Sequence, residues 1–295
     1  MVMLRVTQNI MLRNSMSGLQ GGLNRVANVQ EKMATGKNIN RPSDNPTDTV
    51  VSMRMRSELA RAQQHVRNGQ DGLSWLSNVE STLTGVNDSM RRVNEIALGG
   101  ASDNTSQAGR DAMAAEIDQI KASLLDDANA TYLGRPIFGG VTSGTRAYDA
   151  TGTWIGSPGG VERTVADGVR VRVDVEGPEV FGDGAGSVFD ELDALSTALR
   201  AGDTTGIRAA IDQSSDRMST LRDVISRVGA TYSRADAAVT KAGDSVYGIQ
   251  ISLSDIEDVD LPAAMVDLQV SQVAYQAALA STARVVQPSL VDFLR

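Results

Sequence analysis

The chain has 295 residues, of which 41% are hydrophobic, 4% aromatic and 22% charged, and its formal net charge is −8. That length suffices for one large domain or two to three small ones, and so few aromatics fit long thin helices better than the thick core of a compact enzyme. The acidic balance argues against nucleic acid, whose binding needs Lys and Arg to displace counterions, and the absence of cysteine excludes disulfides, thiolate zinc sites and thiol chemistry.

Residues 8–35 read as a first helix that ends at Gly36. Its apolar residues Leu12, Met16, Leu19, Leu23, Val26 and Met33 keep alternating three- and four-residue steps, with Gln30 filling the gap. That is a narrow coiled-coil seam, which has to bury itself against another helix. The run Asn40-Arg41-Pro42-Ser43-Asp44-Asn45-Pro46 then breaks the helix, since Pro42 pushes Arg41 away from helical dihedrals. Asn45 is an expected N-cap, with Pro46 at the first helical position and Asp48 three residues after the cap.

A second helix is predicted over 46–98. Its stripe runs through Met55, Leu59, Ala62, Val66, Leu73, Leu76, Val79, Leu83, Val86, Met90, Val93 and Ala97, and slips in register between Leu73 and Val79. Gly69, Gly72 and Gly85 each cost about 1 kcal/mol relative to Ala, so close helix contact or a bend is expected there. After a turn at Gly99-Gly100, a third helix is predicted over 107–130 with Met113, Ile117, Ile120 and Leu124 on one face.

Residues 141–186 change character. Val169, Val171, Val173 and Val175 alternate with Arg170, Arg172 and Asp174, the period of a half-buried strand. Asp167-Gly168 is a hairpin turn, and Val161 to Val165 form the partner strand. This β insertion is too small to hold much core alone, so it should lean on the helices. Helix resumes after Ser187, and Asp203 caps a long helix with a regular seam from Ile207 to Ile256, roughly 75 Å in length. Pro262 marks a break or the first turn of a terminal helix. There the apolar residues Leu261, Met265, Leu268, Tyr275, Leu279 and Val286 again keep a heptad seam, with Gln272 and Thr282 in the gaps. The first 140 residues carry 15 basic and 14 acidic side chains, whereas residues 141–262 carry 11 and 20. The acidic middle is most simply a solvated surface.

Motifs for chemistry are absent or incomplete. A phosphate loop fails because Gly36-Lys37 is followed by Asn38 and Glu31 stands where its first glycine should be. Gly182 to Gly186 has the wrong spacing for a dinucleotide fingerprint. His65 has no nucleophile motif beside it, and the carboxylates Asp255, Glu257, Asp258 and Asp260 lack the turning glycine of a calcium loop. No catalytic residue, metal site or cofactor is expected. Met1 to Arg13 lacks the continuous apolar core of a signal peptide, and no stretch approaches the roughly 20 apolar residues of a membrane span.

Four stretches together resemble the bacterial flagellin superfamily, and within it the branch that joins hook to filament. Ala34 to Pro46 is similar to its Ser-Gly-Lys-Arg-Ile-Asn-x-Pro-Ser-Asp-Asp-Pro loop, and Tyr132 to Gly140 to its junction segment ending Phe-Gly-Gly. Ser254 to Asp260 resembles its Ile-Glu-Asp-x-Asp entry to the terminal helix, and Pro288 to Arg295 its closing Ser-Leu-x-Asp-Tyr-Leu-Arg. The chain departs from those patterns at Asn45 and Phe293. Filament flagellin is the rival reading, disfavoured by the Pro-Ser-Asp-Asn-Pro loop and the Phe-Gly-Gly ending; a coiled-coil enzyme or signalling module would need a polar pocket the sequence does not show.

The order of elements along the chain predicts a mainly α protein with a small β insertion, an elongated antiparallel helical bundle or coiled coil with both termini at one end; the resemblance covers residues 1–140 and 187–295 and leaves the insertion unmatched. Residues 1–40 with 260–295 would be the inner-tube assembly helices, 41–140 with 187–259 the rod, and 141–186 the β insertion. The resemblance implies a structural adaptor of the flagellum, exported unfolded through the type III route without a cleaved signal peptide. Its implied partners are neighbouring copies of itself, a hook-associated protein on the hook side, flagellin on the filament side, and an export chaperone on the C-terminal helix, with no nucleic acid and no membrane. The assembly interface would be the two terminal seams, extended by Leu290 and Leu294.

Overall fold

The computed structural model describes the backbone of residues 2–286 and the side chains of residue 10 and residues 13–283. It is mainly α, as expected: α1 (Val2–Thr35), α2 (Pro46–Gly100), α3 (Gln107–Ala128), α4 (Gly177–Phe181), α5 (Val188–Ala201), α6 (Thr204–Glu257) and α7 (Leu261–Val286). Two short antiparallel hairpins lie between α3 and α4. They are β1 (Thr131–Tyr132) with β2 (Arg135–Pro136), and β3 (Glu162–Ala166) with β4 (Val169–Arg172).

Local chemistry sets most of the boundaries. Gly36, at φ +70°, stops α1. Asn45 starts α2 as its side-chain oxygen accepts from the Asp48 backbone amide at 3.2 Å, while its side-chain amide nitrogen donates to the Asp48 carboxylate. Ser106 and Ser187 cap α3 and α5 through their hydroxyls, and Gly202 closes α5 in the left-handed region. Asp260 opens α7 by accepting from the Ala263 amide at 3.1 Å, so Pro262 falls in the first turn, where no amide donor is needed.

Two compact units result, one of Met1–Ala60 with Tyr247–Arg295 and one of Arg61–Val246. The second holds a continuous core that runs from Trp75 to Ala235 and includes the β3–β4 valines Val161, Val165, Val171, Val173 and Val175. The insertion therefore shares the core of the helices, as its small size requires. Gly69 and Gly72 make that approach possible. A Cβ at Gly69 would collide with Val239, and one at Gly72 would stand 3.1 Å from Val173 Cγ1. Gly85 has no neighbour within 4 Å and serves no such purpose.

The register slip between Leu73 and Val79 coincides with Trp75, which is buried along with Leu76. The Trp75 ring meets the edge of Tyr132 at 5.5 Å, and the guanidinium groups of Arg135 and Arg163 lie 5.9 Å from it. Each seam position of α6 from Ile207 to Ile256 is buried or half-buried, so this seam is satisfied within the chain.

Candidate functional site

In the first unit α1 packs along α7. The helices are antiparallel, since Gly22 faces Tyr275 while Lys37 pairs with Asp258; the start of α1 and the end of α7 therefore point the same way.

The residues that meet are Ser15, Leu19, Gly22, Val26, Val29 and Met33 on α1, and Ala264, Leu268, Ser271, Tyr275, Ala278 and Thr282 on α7, all buried or half-buried. Both sets advance in steps of four and three. Of the residues read as the terminal seams, Leu19, Val26, Met33, Leu268 and Tyr275 lie between α1 and α7. Met16, Leu23, Met265 and Leu279 sit one residue aside from these rows and face solvent, and Leu261, in register with the row but at the first position of α7, is exposed as well. Met16, Leu23, Leu261 and Met265 keep 49–55% of their surface exposed. The side chains of Leu12 and Val286 lie outside the described residues, as do Leu290 and Leu294 altogether.

The intrachain seam is thus built partly from small residues. A Cβ at Gly22 would stand 3.2 Å from the Tyr275 ring, so the aromatic ring occupies the space a side chain would take. Sequence pattern missed Gly22, Ala264, Ser271 and Ala278 because it looks for large apolar residues; their heptad spacing with Leu19, Val26, Leu268 and Tyr275 is the signal that could have found them. A further exposed row, Val266, Val270 and Val273, lies on another face of α7. Between Leu261 and Val286 this helix carries only Asp267 and Arg284 as charges. The helix is thus poor in charge and leaves much of its apolar surface exposed.

A polar clasp ties the ends of this pair together. Arg56 grips Glu257 through two hydrogen bonds, Nε to Oε1 at 2.8 Å and a second guanidinium nitrogen to Oε2 at 2.7 Å. Lys37 lies 2.6 Å from Asp258 and 3.5 Å from Glu257. The Asn38 amide donates to the Glu257 carbonyl at 2.6 Å, and the Val259 amide to the Gly36 carbonyl at 3.0 Å. Arg56, and to a lesser degree Lys37, hold the Glu257 carboxyl below the usual carboxylate range against the opposing effect of burial. Within the preceding loop, Asp44 accepts from the Asn40 and Arg41 amides at 3.1 and 2.8 Å, and these bonds depress its carboxyl. The carboxylate cluster of the sequence therefore has three separate tasks: Glu257 and Asp258 in the clasp, Asp260 as a cap, and Asp255 in solvent. His65 Nε2 lies 3.2 Å from Asp167 at the β3–β4 turn.

The family models for the bacterial flagellin N-terminal helical region and the bacterial flagellin C-terminal helical region match residues 6–143 and 209–294. Flagellin of Halalkalibacterium halodurans is 24% identical over 282 residues, covering 95% of this chain and 94% of its own length. Flagellar hook-associated protein 3 of Salmonella typhimurium is 23% identical over 299 residues, covering 93% and 94%. Among solved structures, FlgL of Bacillus cereus superposes with a TM-score of 0.60 at 22% identity, covering 68% of this chain and 99% of its own. Flagellar hook-associated protein-3 from Legionella pneumophila superposes at 0.62 and 14% identity, covering 69% and 98%. At these identities the superpositions speak for the fold.

Proposed function

The chain belongs to the bacterial flagellin family, and from that membership we propose that it is a structural subunit of the flagellum, seated where hook meets filament. The observation that carries this reading is the α1–α7 pair, which buries small side chains in its own seam and leaves Met16, Leu23, Leu261 and Met265 in solvent. Each such side chain, already about half covered, gains roughly half of the 1.5–3 kcal/mol of full burial when a neighbour covers it, so the free subunit holds back stabilisation that assembly releases.

In this reading the terminal helices line the inner tube beside copies of this chain, and Leu12, Val286, Leu290 and Leu294 belong to the same assembly interface. A hook-associated protein covers the hook-side face and flagellin the filament-side face. The subunit leaves the cell unfolded by the type III route, with a chaperone shielding α7 until assembly, and it performs no catalysis. The Pro42-Ser43-Asp44-Asn45-Pro46 loop and the Phe138-Gly139-Gly140 ending favour the junction over bulk filament. Relatives that are flagellins keep filament flagellin as the second reading.

Immuno-gold electron microscopy of native flagella tests the choice. Label confined to the joint between hook and filament is the expected result; label spread along the filament assigns the chain to filament flagellin instead.

A further inference from the structure

Sulfur in this chain is carried by methionine alone: eleven Met residues and no Cys. The exposed ones among the described methionines all lie in the first unit, where Met33 and Met55 are half-buried. Met16, Met53 and Met265, in the first unit, are 55%, 62% and 54% exposed. In the second unit Met90 is 1% exposed, and Met113 and Met218 are half-buried against its core. A thioether in solvent reacts readily with two-electron oxidants, and its sulfoxide is polar and chiral where the thioether was apolar.

We propose that Met16, Met53 and Met265 are oxidation sites through which a peroxide blocks assembly of the free subunit. The thioether sulfur attacks one peroxide oxygen. The O–O bond breaks, an S–O bond forms, and the other oxygen leaves as water after taking a proton; sulfur is oxidised by two electrons and peroxide is reduced. Met16 and Met265 lie in the exposed apolar rows of α1 and α7, so each sulfoxide places a strong hydrogen-bond acceptor in a surface that must become dry. Met90 lacks access and stays reduced while the fold persists. A methionine sulfoxide reductase, drawing electrons from a dithiol, reverses the change. The consequence for assembly rests on the junction reading above; the choice of sites rests on exposure alone.

The test uses the full-length chain treated with hydrogen peroxide, peptide mass spectrometry of each methionine, and co-sedimentation with isolated hooks bearing their hook-side associated protein. Met16, Met53 and Met265 should oxidise at least about tenfold faster than Met90, and the pelleted fraction should fall about fivefold or more and return after reductase treatment. A triple variant, M16L, M53L and M265L, scored against its own untreated sample, should lose nothing on peroxide treatment. Equal rates at Met16 and Met90 overturn the sites. Unchanged pelleting of the fully oxidised chain, or an equal loss in the triple variant, overturns the effect on assembly. Failure of the untreated chain to pellet counts against the junction reading, and the rates then still decide the sites.

Discussion

Glu257 is 3% exposed, and its partner Arg56 is largely in solvent. The asymmetry predicts what each substitution does. Arg56→Ala leaves a buried carboxylate with Lys37 at 3.5 Å and the Ser52 hydroxyl, whereas Glu257→Gln keeps an acceptor for Arg56 and removes the charge. A carboxylate held below its usual range binds protons more readily in the unfolded chain. Its stabilisation is therefore complete above the unfolded pKa and is lost as pH falls through the depressed folded value. Arg56→Ala is expected to cost about 2–3 kcal/mol at pH 7, Glu257→Gln less, and Lys37→Ala least. Denaturant midpoints at pH 7 and pH 3, followed by a probe on α1 or α7, check this: the wild-type chain should lose the increment at pH 3, and the Glu257→Gln chain should not. An equal acid response in that variant would remove Glu257 from the account. Asp174 in the other unit leans the opposite way. Burial raises its carboxyl although Arg172 and the Val161 amide bind it, so its contribution weakens as pH rises toward the raised value, opposite in sign to that of Glu257.

At the scale of elements, α2 contains a built-in comparison. Gly69 lies where a Cβ would collide with Val239, and Gly85 where nothing comes within 4 Å. Gly85→Ala should stabilise by up to about 1 kcal/mol through helix propensity, while Gly69→Ala should destabilise by about 1–3 kcal/mol through overpacking. Urea denaturation of the two variants gives the signs, and a stabilising Gly69→Ala would mean that α6 and the β3–β4 hairpin can retreat without cost. Reading Gly69 and Gly72 as points of close contact was possible from sequence because each glycine sits inside a strong helical stripe; reading Gly85 the same way was not justified. The β1–β2 hairpin was illegible for a definite reason. Its turn is Leu133-Gly134, with Leu133 at φ +50°, where Asn or Asp is the usual signal. The five-residue α4 is too short to show periodicity. Caps at Asn45, Ser187 and Asp203 were legible because a side-chain oxygen before an apolar run has few other uses. The terminal seams were legible only by half. Periodicity ranks large apolar residues as inside, and in α1 and α7 two adjacent rows satisfy the same spacing. The row closed by Gly22 and Ala264 faces the chain itself, because small side chains let the two backbones come near.

For the molecule as a whole, that split in the seams implies a split in stability. The continuous apolar core lies within residues 61–246. Among the described residues of the other unit, the one apolar side chain that is buried is Ala264; the remainder of its packing comes from half-buried residues and the Arg56–Glu257 clasp. Burial stabilises roughly in proportion to apolar area removed from water, and helices owe most of their stability to packing rather than to propensity. The free chain should therefore unfold in two steps followed by circular dichroism. An early, broad loss of helix from α1 and α7 should precede a sharp cooperative transition of the 61–246 unit. Deleting residues 1–33 should abolish the early step, leave a soluble helical protein, and shift the late midpoint by less than about 4 °C, the change expected of a perturbation below about 1 kcal/mol. Covering the terminal helices in an assembly should move the early step upward, because a partner that binds only the folded pair adds its binding free energy to it. Hydrogen exchange on the free chain assigns the steps: amides of α1 and α7 should exchange through low-energy openings, and those of α2 between Trp75 and Ala97 only through global unfolding. A single transition with equal protection in both units would show that the α1–α7 pair is already complete in the monomer, and the exposed rows of Met16, Leu23, Leu261 and Met265 would then need another explanation.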